Sequence, residues 1–163
     1  MPTVKPFIAP TAAVPDRDFI RVGKSRIAGT GVFAKRRIHW GARIIEYIGK
    51  RRFHSELLQE IAAGKPASVY LFEVHAGVSI DGAIGGNESR FINHSCEPNC
   101  EANVFDDRVY IYALCDIRRG EELTFDYQLR RTFQTSDETD ANPLPCRCGA
   151  PTCRGTMMRP ANP

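Results

Sequence analysis

Three cysteines crowd into eight residues near the C-terminus, and no other feature restricts the folding of this chain so tightly. Cys146, Cys148 and Cys153 stand as C-x-C-x4-C in the stretch Pro145-Cys146-Arg147-Cys148-Gly149-Ala150-Pro151-Thr152-Cys153-Arg154-Gly155. Thiolates so close together in a Gly- and Pro-rich loop suit a tetrahedral metal, because the chain can wrap a shell of Zn–S bonds about 2.3 Å long. Three thiolates leave a structural site one ligand short. The turn Cys96-Glu97-Pro98-Asn99-Cys100 offers Cys96 or Cys100 as the fourth. Cys115 sits in an apolar run and reads as a small core side chain. Disulfides are the competing use of the cysteines, but a chain long enough to bury a hydrophobic core has no need of such staples.

At 163 residues the chain suits one domain. Hydrophobic residues make up 42% and charged residues 25%, a globular balance that excludes wholesale disorder. No stretch nears the ~20 apolar residues of a membrane span, and Met1-Pro2-Thr3-Val4-Lys5-Pro6 lacks the apolar core of a secretory signal. The expectation is a soluble protein with no membrane partner. Net charge is +3, unevenly spread. Residues 21–54 carry ten Lys/Arg against the single acid Glu46, whereas from Ser55 onward ten basic residues face sixteen acidic ones. The chain therefore has the means to present one basic and one acidic surface. The runs Lys35-Arg36-Arg37 and Lys50-Arg51-Arg52 read as solvated, with DNA phosphates as an alternative partner.

Residues 1–18, rich in Pro, Ala and Thr, show no periodicity and read as a flexible N-terminal arm. Short β-like runs follow at 19–22, 31–34 and 43–49. One helix is expected, with Ser55 as N-cap, Leu57, Leu58, Ile61 and Ala62 on one face, and Gly64-Lys65-Pro66 as its stop. Residues 69–75 read as a strand. Residues 108–117 alternate, with Val109, Ile111, Ala113, Cys115 and Ile117 on one face and Tyr110, Tyr112 and Leu114 on the other, which predicts a half-buried strand. Arg119-Gly120-Glu121-Glu122 is a turn before a strand at 123–127. Residues 131–142 are polar and read as a linker to the cysteine segment at 143–159. The fold class is mainly β with few short helices.

Four segments concentrate chemistry. Ile27-Ala28-Gly29-Thr30-Gly31-Val32-Phe33 has two glycines one residue apart, which lets a backbone approach a ligand closely. Arg90-Phe91-Ile92-Asn93-His94-Ser95-Cys96 packs an amide, an imidazole, a hydroxyl and a thiol into one turn. Gly120-Glu121-Glu122-Leu123-Thr124-Phe125-Asp126-Tyr127 is the third, and the cysteine cluster the fourth. With Glu46-Tyr47-Ile48-Gly49, these motifs in this order resemble the SET-domain protein lysine methyltransferases over about residues 19–158. The resemblance implies a minimal SET domain at 19–130 and a post-SET zinc segment, with no pre-SET region. It also implies a β-clip-like fold in which the segments holding Asn93-His94 and Phe125-Asp126-Tyr127 form a pseudoknot.

Further implications concern the site. S-adenosylmethionine is expected against Ala28, Gly29, Thr30, Gly31, Tyr70, Arg90, Phe91, Asn93 and His94, with Arg147 near it. Structural zinc is expected on Cys96, Cys146, Cys148 and Cys153, leaving Cys100 as a structural thiol. Tyr127 matches the family's essential tyrosine, supported by Tyr47. Phe125 matches the position at which phenylalanine goes with di- or trimethylation. Transfer to lysine needs a neutral amine, although the free pKa is ~10.4; a narrow apolar channel lowers it by desolvation. The implied substrate is an exposed lysine on a histone or histone-like tail. A non-histone protein substrate, or a non-catalytic zinc-stabilised module binding peptide or nucleic acid, are the alternatives. Residues 73–87 are Gly-rich and leave peptide specificity unreadable. Reduced thiols imply a cytoplasmic or nuclear setting, in the producing cell or in a host that receives the protein. A homodimer is one expectation for the assembly.

Overall fold

Short β-branched and aromatic runs broken by glycines give short strands, and these assemble into three small sheets rather than one large one. The fold is a computed structural model describing residues 19–66, 68–129 and 144–160; the expected arm at 1–18 and linker at 131–142 lie outside the described residues. The strands are β1 (Ile20–Lys24), β2 (Thr30–Ala34), β3 (Arg43–Tyr47), β4 (Lys50–Phe53), β5 (Leu71–His75), β6 (Val78–Asp81), β7 (Asn93–His94), β8 (Cys100–Phe105), β9 (Arg108–Ala113) and β10 (Glu122–Phe125). The helix α1 is His54–Ala62, and a 3-10 turn spans Glu88–Phe91. The sheets run β1-β2-β10-β7, β3-β9-β8 and β4-β6-β5.

Among the described residues, all pairings between the named strands but one are antiparallel. The exception is β7 on β10, where Asn93 lies opposite Thr124 and His94 opposite Phe125. Parallel neighbours need a long crossover, and here the β8–β9 hairpin lies within it. Asn99 ties the pair from the side: its amide nitrogen donates to Glu122 O at 2.8 Å, and its Oδ1 accepts from Thr124 N at 2.9 Å. The two most chemistry-rich segments of the sequence are thus locked side by side, as the resemblance implies.

One core cluster, including Val32, Ile38, Ile44, Ile92, Ile111, Ile117, Leu123 and Phe125, joins the first two sheets. A second, of Tyr47, Val74, Ile80 and Val109, sits under the third sheet, and Phe72 packs against both. Cys100 is fully buried in the first cluster, and burial pushes its thiol up to about 12, which makes it the inert structural thiol expected.

Several local expectations are corrected. The strand β9 stops at Ala113: the Leu114 amide still donates in register to Asn99 O at 2.9 Å, and the chain then bends at Leu114 and Cys115. Cys115 is therefore exposed, not a core side chain. Residues 109–113 are all buried, since β9 is the middle strand of its sheet and is covered on both faces. Phe53, not Ser55, is the N-cap of α1, with no side-chain cap, and Leu57 is its one buried residue. The run Lys50-Arg51-Arg52 lies in β4, with Lys50 and Arg51 solvated as expected but Arg52 buried, its Nη2 2.9 Å from Glu60 Oε1. The Gly-rich stretch holds β6 as its centre strand. Gly49 is there because a Cβ would strike the backbone of Asp81.

Candidate active site and metal centre

The cysteine cluster forms as the spacing requires. The Sγ atoms of Cys96, Cys146, Cys148 and Cys153 all lie within 4.8 Å of one another. Cys96 Sγ is 3.7 Å from Cys146 Sγ and 3.9 Å from Cys153 Sγ. A tetrahedron of thiolates at ~2.3 Å from zinc has edges of about 3.8 Å, so the set fits the ion. Four thiolates fill the shell and leave no open position, which makes the centre structural. Cys100, the other candidate fourth ligand, is not among them.

Cys96 belongs to the turn after β7, whereas the other three ligands come from the C-terminal segment, so the centre fastens that segment to the body of the protein. Two further ties were not read from the sequence. Arg154 grips Asp126 through both nitrogens, Nη1 to Oδ2 at 2.9 Å and Nη2 to Oδ1 at 2.8 Å. Glu97 Oε1 accepts from the Thr152 amide at 2.8 Å and from its hydroxyl at 2.6 Å. Arg147, expected near a cofactor, is exposed between two ligand cysteines; Arg154 is the arginine turned inward.

Beneath this segment runs an array of rings. Centroid separations are 5.3 Å for Tyr47–Phe72, 6.0 Å for Phe72–Phe125, 4.9 Å for Phe125–Tyr127 and 5.3 Å for Tyr127–His94. Phe72 was missed in the sequence because one phenylalanine in an apolar strand carries no distinguishing signal. The Tyr127 hydroxyl donates to Ile92 O at 2.8 Å, and that of Tyr47 to Tyr70 O at 2.9 Å. Burial, then Tyr70 and Glu122 nearby, pushes the Tyr127 hydroxyl well above the ordinary phenol range. Burial and neighbouring Tyr127 do the same for Tyr47. Both are neutral phenols at physiological pH. Gly82 makes room for Tyr47, whose hydroxyl would lie 2.9 Å from a Cβ there.

His94 joins the two halves. Its Nδ1 accepts from the Tyr127 amide at 3.1 Å, so the proton of the neutral ring is on Nε2, which faces Cys96 Sγ at 3.4 Å. Burial holds the imidazole below its ordinary pKa, with Asp126 opposing.

Beside the ring array stand residues expected to hold the cofactor. Ala28 and Gly29 are exposed in the loop between β1 and β2, Thr30 is exposed at the start of β2, and Gly29, at φ 41°, has nothing near the place a Cβ would take. The Arg90 guanidinium stands 4.6 Å from the Phe91 centroid and 5.8 Å from that of Tyr70, and its Nε is buried without a hydrogen-bond partner. Tyr70 and Phe91 meet edge to face at 5.9 Å. A bare turn of backbone, an aromatic wall and an unsatisfied buried donor fit a ligand with a flat ring and anionic groups, which S-adenosylmethionine has. The side chain of Asn93 points away from this loop surface, into a polar cluster beneath it.

Residues 29–128 match the SET domain family. The chain is 37% identical over 147 residues to histone-lysine N-methyltransferase trr of Drosophila melanogaster, covering 86% of this chain and 6% of that protein. It is 40% identical over 144 residues to human histone-lysine N-methyltransferase 2B, covering 85% of this chain and 5% of that one. A histone-lysine N-methyltransferase of Schizosaccharomyces pombe, H3 lysine-4 specific, is 38% identical over 85% of this chain and 15% of its own length. The chain thus spans a small part of these relatives. Among solved structures, a humanized mutant of the Chaetomium thermophilum Polycomb Repressive Complex 2, bound to the inhibitor GSK126, matches with a TM-score of 0.59 and 35% identity over 66% of this chain and 14% of that one.

Proposed function

This chain belongs to the SET-domain family, and from that premise we propose that it is a protein-lysine N-methyltransferase that uses S-adenosylmethionine and acts on histone tails. The observation that carries the reading is the convergence of Tyr127, Tyr47, Phe125 and Phe72 in one ring array beside the 28–30 loop, under a segment pinned by four cysteines.

The residues suggest how the reaction runs. S-adenosylmethionine, when bound, supplies a methyl carbon on a sulfonium, which becomes a thioether as the lysine nitrogen forms the new N–C bond. An apolar, ring-lined passage desolvates the incoming ammonium and favours loss of its proton before attack. Tyr127 is no base for that proton: its hydroxyl is held neutral and already donates to Ile92 O. Its oxygen keeps lone pairs for the amine or the methyl hydrogens, which orients the reactants for in-line attack. The proton leaves to water. Cys96, Cys146, Cys148 and Cys153 would hold zinc, which would order the C-terminal segment and, with no open position, would not activate the substrate. Phe125, buried against the Phe72 and Tyr127 rings, has no hydroxyl to hold a water where further methyls would go, which supports di- and trimethylation.

The relatives named for histone-lysine methylation support a histone tail as the substrate and the nucleus as the setting. Lys24, Arg26 and Lys35 are exposed in the basic half of the chain and support an added contact with nucleosomal DNA.

The test is methylation of core histones, read by intact mass beside a Tyr127→Phe variant. Additions of ~14 Da per methyl are expected for the wild type, with a loss of at least about 100-fold in kcat for the variant, the scale for removing a catalytic hydroxyl contact. The rising limb of the pH–rate profile reports the lysine amine and keeps its position in the variant. Methylation of other lysine proteins but not histones moves the substrate. No methylation and no cofactor binding leaves an interaction module and refutes the enzyme.

A further inference from the structure

The two glycines of the G-x-G segment do different work. Gly29 adopts φ 41° and faces open space, as a ligand-facing turn requires. Gly31 is buried in β2, and a Cβ there would lie 2.9 Å from Glu122 Cδ and closer still to Oε1. The space a side chain would fill is occupied by a carboxylate.

That carboxylate gathers donors. Glu122 Oε1 accepts from the Ser25 hydroxyl at 2.7 Å and from Asn93 Nδ2 at 2.8 Å. With its proton committed to Glu122, Ser25 Oγ accepts from the amides of Ile27 at 2.9 Å and Ala28 at 3.4 Å. Asn93 Nδ2 also reaches Thr30 O at 3.0 Å and Ala28 O at 3.4 Å. Ser25 N closes the loop on Gly29 O at 2.9 Å. Ala28, Gly29 and Thr30, whose main-chain groups take part in these contacts, are residues that the cofactor reading needs.

We propose that Glu122 is the positioning residue of the cofactor loop: acting through Ser25 and Asn93, it fixes the backbone of 27–30 in its binding conformation. The proposal rests on the cofactor reading above. An ionised carboxylate accepts two hydrogen bonds on one oxygen, and so does the carbonyl oxygen of a glutamine, so the role needs an acceptor rather than a charge. Gly31 exists to leave room for it.

The experiment compares Glu122→Ala, Glu122→Gln, Gly31→Ala and the Gly31→Ala/Glu122→Ala double variant in the full chain. Hydrogen exchange without cofactor should show protection lost at the Ile27 and Ala28 amides in E122A and retained in E122Q. Calorimetry with S-adenosylmethionine should give about tenfold weaker binding for E122A, the scale of losing a charge-assisted hydrogen bond. Binding by E122Q should stay within about threefold of wild type on the same scale. Gly31→Ala should match E122A, and the double variant should add little, because both changes remove the same carboxylate contact. In turnover the cofactor KM should rise while kcat at saturation holds. Unchanged protection and binding in E122A overturn the proposal, as does an equal fall in kcat and melting temperature with no change in KM. A wild type that binds no S-adenosylmethionine while the exchange pattern appears as expected overturns the cofactor reading and leaves Glu122 as the restraint on a loop of other use.

Discussion

Replacing Arg154 by methionine removes the strongest polar tie between the cysteine segment and the strand region that carries Tyr127. The wild-type pair is bidentate, at 2.8 and 2.9 Å, with side chains 24% and 18% exposed. At an effective dielectric near 20 the attraction at ~4 Å is about 4 kcal/mol, and desolvation offsets part of it. A net contribution of about 2 kcal/mol is reasonable for charge-assisted hydrogen bonds at this exposure, or about 30-fold in the docked population. Methionine retains the bulk of the stem, so packing changes little. Because Cys96 is the one ligand outside the segment, undocking strips zinc to three thiolates. The ion pair and the metal are therefore linked, and zinc affinity should fall by about the same 30-fold. A chelator competition followed spectrophotometrically measures it, with circular dichroism as the control for the body of the fold. The pair is partly buried, so the effect should persist at 0.5 M salt, where a surface pair would be screened. Zinc affinity within about threefold of wild type would refute the linkage and make the pair ornamental, since the worked value is tenfold larger.

Two other outcomes follow from single positions. Phe125→Tyr adds a hydroxyl to a ring whose centroid lies 4.9 Å from that of Tyr127 and 6.0 Å from that of Phe72, and should shift the product toward monomethyl-lysine by mass spectrometry; an unchanged distribution argues against that role for Phe125. The side-chain hydrogen bond from Arg52 holds the Glu60 carboxyl below its ordinary pKa. A depressed carboxyl stabilises the fold above its unfolded pKa and loses that contribution as pH falls through the folded value. The melting-temperature gap between wild type and Glu60→Gln should thus be present at pH 7 and close below pH ~4; a gap independent of pH removes the ion pair as its cause.

The motifs of the site were legible because its chemistry needs particular residue types at fixed spacing. Four cysteines, a tyrosine after Phe-Asp and the Asn93-His94 pair announce themselves. What joins them did not. The Asp126–Arg154 and Glu97–Thr152 ties, and the Glu122–Ser25–Asn93 cluster, are made of ordinary polar residues far apart in the chain: Ser25 and Glu122 are separated by 97 positions. No local pattern encodes such a pairing. The errors have the same origin. Cys115 continues an apolar alternation, yet the chain bends at Leu114 and Cys115 after its last ladder bond, to Asn99, and leaves the thiol exposed. Arg52 resembles its solvated neighbours Lys50 and Arg51, but period two in β4 sets it on the face opposite Arg51, and its place beside α1 buries it against Glu60. The sequence shows which groups are chemically rare, and topology decides which common groups hold them.

His94 shows why this division matters for function. A neutral imidazole with Nδ1 on the Tyr127 amide and Nε2 on Cys96 sulfur can satisfy both neighbours in only one tautomer. Metal binding deprotonates Cys96, and a thiolate is a better acceptor for the Nε2 proton than a thiol. The same ligand that closes the zinc shell therefore strengthens the ring that holds the Tyr127 backbone, and the ring edge itself packs on Tyr127 at 5.3 Å. A metal with no open coordination position still bears on the geometry of the candidate catalytic tyrosine, through one side chain and two hydrogen bonds. With zinc on its cysteines the segment would belong to the framework of the candidate active site, held there by the Arg154–Asp126 pair.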